Sequence, residues 1–337
     1  PYEEGVGSEI PFNLKGVING NIQISSALKN PLIQSNIKVN GFSILSGDYG
    51  DVSVLSRWNS DSQVADINAS NNLNGKRNID IRGIYDPAIK KFYINGTASN
   101  LPVNALNPLL GFFASGIKGS VSGKINLTGQ PNELVLKGSL MAENTSMKIN
   151  YLQTRYTIND SIRFDKTGIK FKNIRLTDEK GNSAVLSGSV YHKYFKDYSV
   201  DLTVNMDKND FLVLNTQQKD NELFYGTAYA SGVTTIKSGP NSLSFDISAK
   251  TGKGTRFYIP LSSSLSISES SFVKFVSNDT THIEGEKKNP VTKGQTVMEL
   301  NFDLDITPDA EVQLLIDPKA GDVIKGRGSG KLNISMN

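Results

Sequence analysis

The regular alternation of apolar and polar residues between positions 298 and 334 most constrains the fold of this chain. From Met298 to Ile306 every second residue is apolar, and the residues between them are acidic or amide side chains. The alternation resumes at Val312 after a turn at Pro308, and it returns once more near the end of the chain. Successive side chains of a β-strand point to opposite faces. The stretch therefore predicts consecutive hairpins that share one apolar face.

Similar stretches recur along the chain and predict a repetitive architecture. Gly20, Gly123, Gly232 and Gly330 each lie in a short segment of alternating small polar and aliphatic residues. Their spacing divides the 337 residues into units of about 100 residues within one continuous β-rich chain. The predicted repeats are 16–118, 119–228 and 229–325, with the start of a further repeat at 326–337.

Local irregularities predict where these strands curve. Glycines such as Gly123 and Gly188 fall inside the strand pattern, where they relieve crowding as a sheet bends. The spacing changes between Phe171 and Ile174, which predicts a β-bulge. Two segments, 106–113 and 211–214, have local helical spacing, and we predict that they form short hooks of one or two turns between strands.

Periodicity alone leaves open what covers the apolar face. The stripe could be buried between the two sheets of a globular sandwich or inside the narrow tube of a β-solenoid. It could also line a sheet that is folded over without its two halves meeting, which would leave an apolar trough.

Composition excludes several functional classes. Hydrophobic residues make up 37% of the chain and charged residues 20%, which is typical neither of a disordered chain nor of a membrane-spanning one. No apolar run approaches the roughly 20 residues of a membrane helix. The net charge of +3 and the lack of a basic patch argue against nucleic-acid binding. The chain has no cysteine, so it has no disulfides and no thiol chemistry.

The sequence offers little for catalysis, a metal or a cofactor. His192 and His282 are far apart and have no metal-ligand spacing around them. Asp303 and Asp305 share the polar face of one predicted strand, where solvation explains them better than paired acid–base chemistry. The glycines between Gly326 and Gly330 are not followed by the helix of a phosphate-binding loop. We therefore predict a protein that is not an enzyme and needs no cofactor.

Against this background one segment is distinctive: DITPDAEVQLLIDPKAGDVIKGRGSGKLNI, which begins at Asp305. It resembles the C-terminal conserved region of TamB-type translocation and assembly module proteins, which belong to the AsmA-like, bridge-like lipid transfer group of Gram-negative bacteria. Supporting stretches that begin at Tyr156, Leu223 and Thr255 are similar to the same family, so the resemblance covers most of the chain. It implies a β-taco fold, in which a long curved sheet forms an open hydrophobic groove.

The resemblance also implies a place and partners in the cell. Proteins of this family are anchored in the inner membrane by an N-terminal helix, cross the periplasm and reach the outer membrane. There they work with an outer-membrane barrel assembly protein of the TamA or BamA type. The family is implicated in outer-membrane protein assembly and in phospholipid movement. Since the sequence begins at Pro1 and shows no anchor, we expect it to be a piece of a longer protein.

These observations lead to two functional hypotheses. The first is a periplasmic conduit whose groove shields the acyl chains of phospholipid, and whose strand edges could also pair with nascent outer-membrane proteins. The second is a structural β-rich spacer with a closed, dry core. For the first, the candidate lipid-facing residues are the apolar members of the alternating stretches: Ile125, Leu127, Leu136, Phe171, Leu202, Val204, Phe245, Ile247, Phe257, Ile259, Leu300, Phe302, Leu304, Val312 and Leu314.

Overall fold

One mixed β-sheet dominates the structure, a computed structural model that describes residues 14–25, 32–45, 47–107, 111, 114–220, 224–239, 242–260, 297–317 and 322–336. Twenty strands join in this sheet, which confirms the predicted all-β, curved-sheet class. Within the described residues, no helix has the length and apolar character needed to cross a lipid bilayer.

Most strands follow one another with short connections, whereas β16 and β17 are separated by residues 261–296, which lie outside the described part of the chain. The first seven strands and a 3-10 turn, η1 (Asn104–Leu106), precede residue 130: β1 (Leu14–Ser25), β2 (Leu32–Ile44), β3 (Gly47–Asn59), β4 (Val64–Asn72), β5 (Ile79–Asp86), β6 (Lys91–Pro102) and β7 (Ala114–Gly129). Seven more form the middle of the chain: β8 (Val135–Ile149), β9 (Thr154–Ile158), β10 (Ser161–Asp165), β11 (Gly168–Thr177), β12 (Ser183–Lys193), β13 (Lys196–Thr216) and β14 (Tyr225–Ser238). The last six are β15 (Ser242–Thr251), β16 (Arg256–Pro260), β17 (Val297–Ile306), β18 (Glu311–Asp317), β19 (Asp322–Gly326) and β20 (Gly330–Met336).

Strand pairing divides the sheet into two limbs. Strands β1 to β8 pair in sequence order and antiparallel. The next two strands in the chain, β9 and β10, are short, and both lie between the long strands β8 and β11. One half of β8 and of β11 pairs with β10, and the other half of each pairs with β9. Likewise β14 pairs with both β15 and β16, which continue as parallel pairs with β17 and β18. We call the side with β10 and β15 the first limb, and the side with β9 and β16 the second.

Register shifts occur in many strands where the two limbs join. Residues are inserted between Ala98 and Leu101, between Phe171 and Ile174, and between Met206 and Phe211. Such inserted residues bend the strand that carries them. We call this level of the sheet the bend, and we call the hairpin turns at the opposite end of the first limb the rim. The bulge predicted between Phe171 and Ile174 is confirmed.

Asparagine supplies the unusual backbone geometry at several of these bulges. Asn100, Asn144 and Asn173 have φ angles of 49°, 46° and 53°. This left-handed region is accessible to asparagine more readily than to most other residues with a side chain. The frequent asparagines of the sequence therefore help to position the bend.

The apolar stripe stays on one face of the sheet because paired residues share a face. Leu127 pairs with Ile94 on one side and with Leu136 on the other. Further along the chain, Phe245 pairs with Ile236 and with Leu300. The alternation predicted from the sequence thus becomes a continuous surface, which we call the inner face.

Glycine is required at one position of the inner face where large side chains flank it. Gly188 pairs with Phe171 on β11 and with Leu202 on β13. Its φ of +124° is unfavourable for residues with a side chain, and a Cβ atom there would collide with the carbonyl oxygen of Asp201. Because Gly188 has no side chain, the strands approach closely here, and the flanking side chains fill the space.

A buried cluster holds the two limbs together at the bend. Its members come from β8, β9, β11, β12 and β13 and include Ile174 and Phe211, which are 1% and 2% exposed. The ring of Tyr156 on β9 stacks on Phe211 with 5.2 Å between centroids. The Tyr156 hydroxyl also donates a hydrogen bond of 2.9 Å to the carbonyl of Leu212. The limbs therefore meet at the bend in a dry core.

The prediction of a helical hook at residues 211–214 was wrong. Phe211, Leu212 and Leu214 all lie in β13, and each is nearly fully buried. Their spacing departs from strict alternation because the register with β14 shifts between Leu212 and Leu214. For the segment 106–113, Leu106 ends the 3-10 turn η1, whereas Leu109, Leu110 and Phe113 lie outside the described residues.

Candidate functional site

Along β8 and β13, burial of the inner face increases from the rim to the bend. Along β13, Leu202 and Val204 are half-buried, whereas Met206 is 3% exposed. Along β8, Leu136 is half-buried and Ala142 is completely buried. The part of the inner face between the rim and the bend therefore presents apolar surface that the chain itself only partly covers. This strip, which we call the open strip, is the candidate functional site.

The structure brings most of the predicted lining residues into this strip. Ile125, Leu127 and Leu136 lie together on β7 and β8, and Ile247 pairs with Phe302 and Ala249 with Leu304 across β15 and β17. All of them are half-buried. Strand pairing connects the two groups through the inner faces of β10 to β14.

Other predicted residues differ in their surroundings. Phe171, Leu202 and Val204 are half-buried and pack against the dry cluster at the bend, so they border the open strip. Leu300, on the inner face of β17, is only 6% exposed. It is therefore largely covered in the folded chain.

Four predicted residues belong to the second limb. Phe257 on β16 pairs with Val312 on β18, and both are half-buried. Two residues further along the same strands, Ile259 pairs with Leu314. The side chains of Ile259 and Leu314 lie outside the described part of the structure. Phe257 and Val312 extend the apolar surface beyond the bend.

Phe224 connects the limbs and was missed by sequence reasoning. Its ring centroid lies 5.6 Å from that of Phe257 in the second limb and 5.9 Å from that of Phe302 in the first limb. Phe224 directly precedes β14 and is buried. Tyr156 and Phe211 were missed in the same way. An aromatic residue at the start or irregular middle of a strand is a weak sequence signal, because the contacts of such a residue depend on the folded sheet.

The first strand differs from the rest because its apolar residues face solvent. Ile18 and Ile22 on β1 are 72% and 60% exposed. They pair with Val39 and Ser35 of β2, so they continue the inner face. Exposed aliphatic residues in one contiguous row indicate a surface that binds an apolar ligand or another chain segment.

Charge is placed on the opposite, outer face. Lys38 forms a salt bridge with Asp51 at 3.7 Å, and Arg82 forms one with Asp80 at 3.2 Å. The residues next to these charged residues in each strand lie on the inner face, so the charges lie on the outer face. The inner face of the open strip therefore carries aliphatic and aromatic side chains with small polar residues between them. Such a surface can bind apolar chains through burial.

The residues considered for catalysis have structural surroundings. The Nδ1 atom of His192 accepts a hydrogen bond of 3.1 Å from the backbone N–H of Phe195, and the two rings stack. Burial lowers the pKa of His192, whereas the charge of Asp165 opposes this shift. Asp303 and Asp305 are exposed on the outer face of β17. Across the described ranges, no group of three or more His, Cys, Asp or Glu residues could hold a metal ion, and His282 lies outside those ranges.

The fold and the open strip define a class: all-β proteins in which one sheet is bent around a lengthwise apolar face. Residues 172–337, from within β11 to the end of the chain, match the family model described as the TamB C-terminal domain. Residues 172–337 therefore belong to the TamB family, which supports a TamB-type protein. No curated protein and no solved structure matches the chain.

Membership in this family gives a coarse functional assignment. TamB proteins form a transport and assembly module rather than an enzyme family. They work with TamA-type partners in the Gram-negative envelope, in translocation, assembly and the transport of lipid or protein. This assignment agrees with the apolar surface of the inner face.

Proposed function

We propose that the open strip shields phospholipid acyl chains while they cross the periplasm between the inner and outer membranes. The observation that supports this proposal most directly is the continuity of the inner face, which strand pairing extends from Ile18 on β1 to Leu332 on β20. Along this path, apolar side chains such as Leu127, Leu136 and Ile247 remain half-buried, and Ile18 is exposed. Such a surface suits a ligand that is itself long and apolar.

The energetic need for a shield is large. An acyl chain of 16 carbons exposes apolar surface worth roughly 12 kcal/mol in water, at about 0.8 kcal/mol for each methylene. Contact with a continuous aliphatic surface removes most of this cost. Because the lining residues are chemically alike, no position along the strip holds the chain much more tightly than the next. The chain can therefore slide, with its head group in water beside the rim.

Further partners follow from the same proposal. An outer-membrane barrel assembly protein of the TamA or BamA type would receive the cargo or dock at one end of the sheet. Nascent outer-membrane proteins are a second class of partner, because β1, β19 and β20 each pair with a single other strand among the described residues. Strands with a free edge can bind an extended segment by strand addition.

A matched pair of variants on β15 tests the lipid proposal. Ile247 lies on the inner face, and its neighbour Ser248 is exposed on the outer face. Each of the changes Ile247→Asp and Ser248→Asp adds one carboxylate, but only the first places it in the open strip. Native mass spectrometry of protein purified from bacterial membranes should show bound phospholipid for the wild type and Ser248→Asp. Ile247→Asp should carry clearly less of it, since a charge in an apolar site is strongly unfavourable.

Circular dichroism establishes that the variants are folded, and Phe302→Asp and Leu202→Arg repeat the test at two further inner-face positions. Equal lipid occupancy in Ile247→Asp and Ser248→Asp would contradict the proposal. A wild-type protein that carries no lipid and takes up none on titration would instead favour a structural spacer.

A further inference from the structure

A polar cleft on the outer face of the second limb is separate from the open strip. Its volume is about 1070 Å³, and it lies between the end of β13, the start of β14, β16 and the turn that joins β11 to β12. Tyr225, Thr227 and Tyr229 line it and alternate along β14 with Gly226 and Ala228. Because Gly226 pairs with Phe257 of the inner face, the lining residues of β14 belong to the opposite, outer face.

Positive charge dominates the cleft. Lys180, Lys253 and Arg256 line it, and Asp210 is the one carboxylate among the described lining residues. The Nε atom of Arg256 lies 3.7 Å from Oε1 of Glu311 outside the lining. Glu311 is also engaged by Arg327, whose Nη2 atom is 2.6 Å from Oε2, so its charge is shared. The cleft therefore has an excess of cations and favours an anionic ligand.

Tyrosine rings provide flat surfaces in the same cleft. Tyr225 and Tyr258 stack in parallel with 4.9 Å between their centroids, and the Nζ atom of Lys180 lies 4.4 Å above the ring of Tyr229. Burial and the neighbouring Tyr258 raise the pKa of Tyr225. The tyrosine hydroxyl therefore stays protonated at neutral pH and can donate a hydrogen bond. Aromatic rings of this kind offer an apolar face beside a polar edge.

Amide and hydroxyl groups complete the lining. Four amide side chains, Asn182, Asn215, Gln217 and Gln218, surround the cleft, and each has both donor and acceptor atoms. Thr216 also borders the cleft, but it pairs with Gly226 and therefore belongs to the inner face. The row of amides suits a ligand that carries several hydroxyl groups.

We propose that this outer cleft binds an anionic saccharide, namely a short chain of sugar rings that carries carboxylate groups. The cations pair with the carboxylates, the amides hydrogen-bond the hydroxyls, and the tyrosine rings contact the apolar faces of the sugars. An acidic peptide would use the cations, and its backbone could pair with the amides, but glutamate side chains would leave the tyrosine faces unmatched. Such a site would let the protein bind an acidic glycan on its outer surface, independently of any cargo in the open strip.

Isothermal titration calorimetry of the intact chain with three probes of similar length tests this inference. The probes are trigalacturonic acid, neutral maltotriose and a tri-glutamate peptide. We expect the acidic trisaccharide to bind at least about tenfold more tightly than either of the others, since one charge-assisted contact is worth about that factor. In Lys253→Gln its Kd should rise by about tenfold. The control Lys137→Gln, which removes an exposed lysine from β8, should leave the Kd unchanged.

Three outcomes would overturn the inference. The first is the absence of trigalacturonate binding at millimolar concentration. The second is equal binding of the tri-glutamate peptide, which would show a simple acidic-peptide surface. The third is an equal loss of affinity in Lys253→Gln and Lys137→Gln, which would show non-specific attraction. Loss of phospholipid in the Ile247→Asp variant has no bearing on these results, so the two proposals succeed or fail separately.

Discussion

The bend and the open strip are built from the same strands and the same residue types, but they differ in how far the chain covers its own apolar surface. At the bend, Ile174 and Phe211 are almost inaccessible, and Tyr156 closes over them from β9. In the open strip, Leu136 and Ile247 have inner-face neighbours within the sheet and remain half-buried. One sheet thus contains a dry core and an apolar surface that is available to a ligand.

This difference shows that apolar residues on one stripe have two roles. Those near the bend stabilise the fold, because both limbs contribute to their burial. Those nearer the rim contribute less to stability, because one side of each remains accessible. The presence of aliphatic residues on such a half-exposed surface is better explained by ligand binding than by packing. Variants in the two regions should therefore separate stability from lipid binding.

The largest expected effect follows from truncation at the bend. Phe211→Ala removes a buried ring that stacks on Tyr156 and should lower the free energy of unfolding by about 3–5 kcal/mol. Urea denaturation followed by circular dichroism measures this loss. Leu136→Ala in the open strip is the control, and its cost should be about 1 kcal/mol because Leu136 is only half-buried. Equal losses in the two variants would remove the distinction between the regions.

A smaller effect concerns the Tyr156 hydroxyl and its pH dependence. Burial raises the pKa of Tyr156 well above its ordinary value, with smaller contributions from Asp178 and Glu179, and a hydrogen bond with Thr154 opposes the shift. The unfolded chain loses this proton near pH 10, whereas the folded chain keeps it. Stability due to Tyr156 is thus complete below pH 10 and declines above it, by about 1.4 kcal/mol per pH unit.

Tyr156→Phe should remove this part of the alkaline dependence. The variant should also be less stable at pH 7 by about 1–3 kcal/mol, because the carbonyl of Leu212 loses its hydroxyl donor. Urea denaturation at pH 7 and from pH 9.5 to 11 measures both effects. Since other tyrosines also titrate in this range, the relevant quantity is the difference between the wild type and Tyr156→Phe. A difference that stays constant across the alkaline range would show that Tyr156 is accessible to solvent.

The sequence allowed much of the first limb to be predicted. Strict alternation in stretches such as 298–306 identifies a strand and its apolar face, since the side-chain period of a strand is two residues. The bulge between Phe171 and Ile174 was readable because it breaks this period locally. Lining residues such as Leu127 and Phe245 followed from the same pattern. The division into repeats of about 100 residues stays a prediction.

The bend was much harder to predict. Phe211 and Leu212 broke the alternation and were assigned to a helical hook, whereas a register shift within β13 produces the same spacing. The partners of Phe211 and Phe224 lie dozens of residues away, at Tyr156 and Phe302. No local pattern specifies such pairs. The same holds for the outer cleft, whose lysines and tyrosines come from four separate elements.

The most direct test of the central claim is photo-crosslinking in the bacterial envelope. A photoreactive amino acid is placed in the full-length protein at position 136 or 247 on the inner face, at position 137 or 248 on the outer face, or at position 174 at the bend. Mass spectrometry then identifies covalent phospholipid adducts. The account predicts adducts at 136 and 247 and none at the other three positions. Adducts of equal yield at 137 and 248, or their absence at 136 and 247, would contradict it.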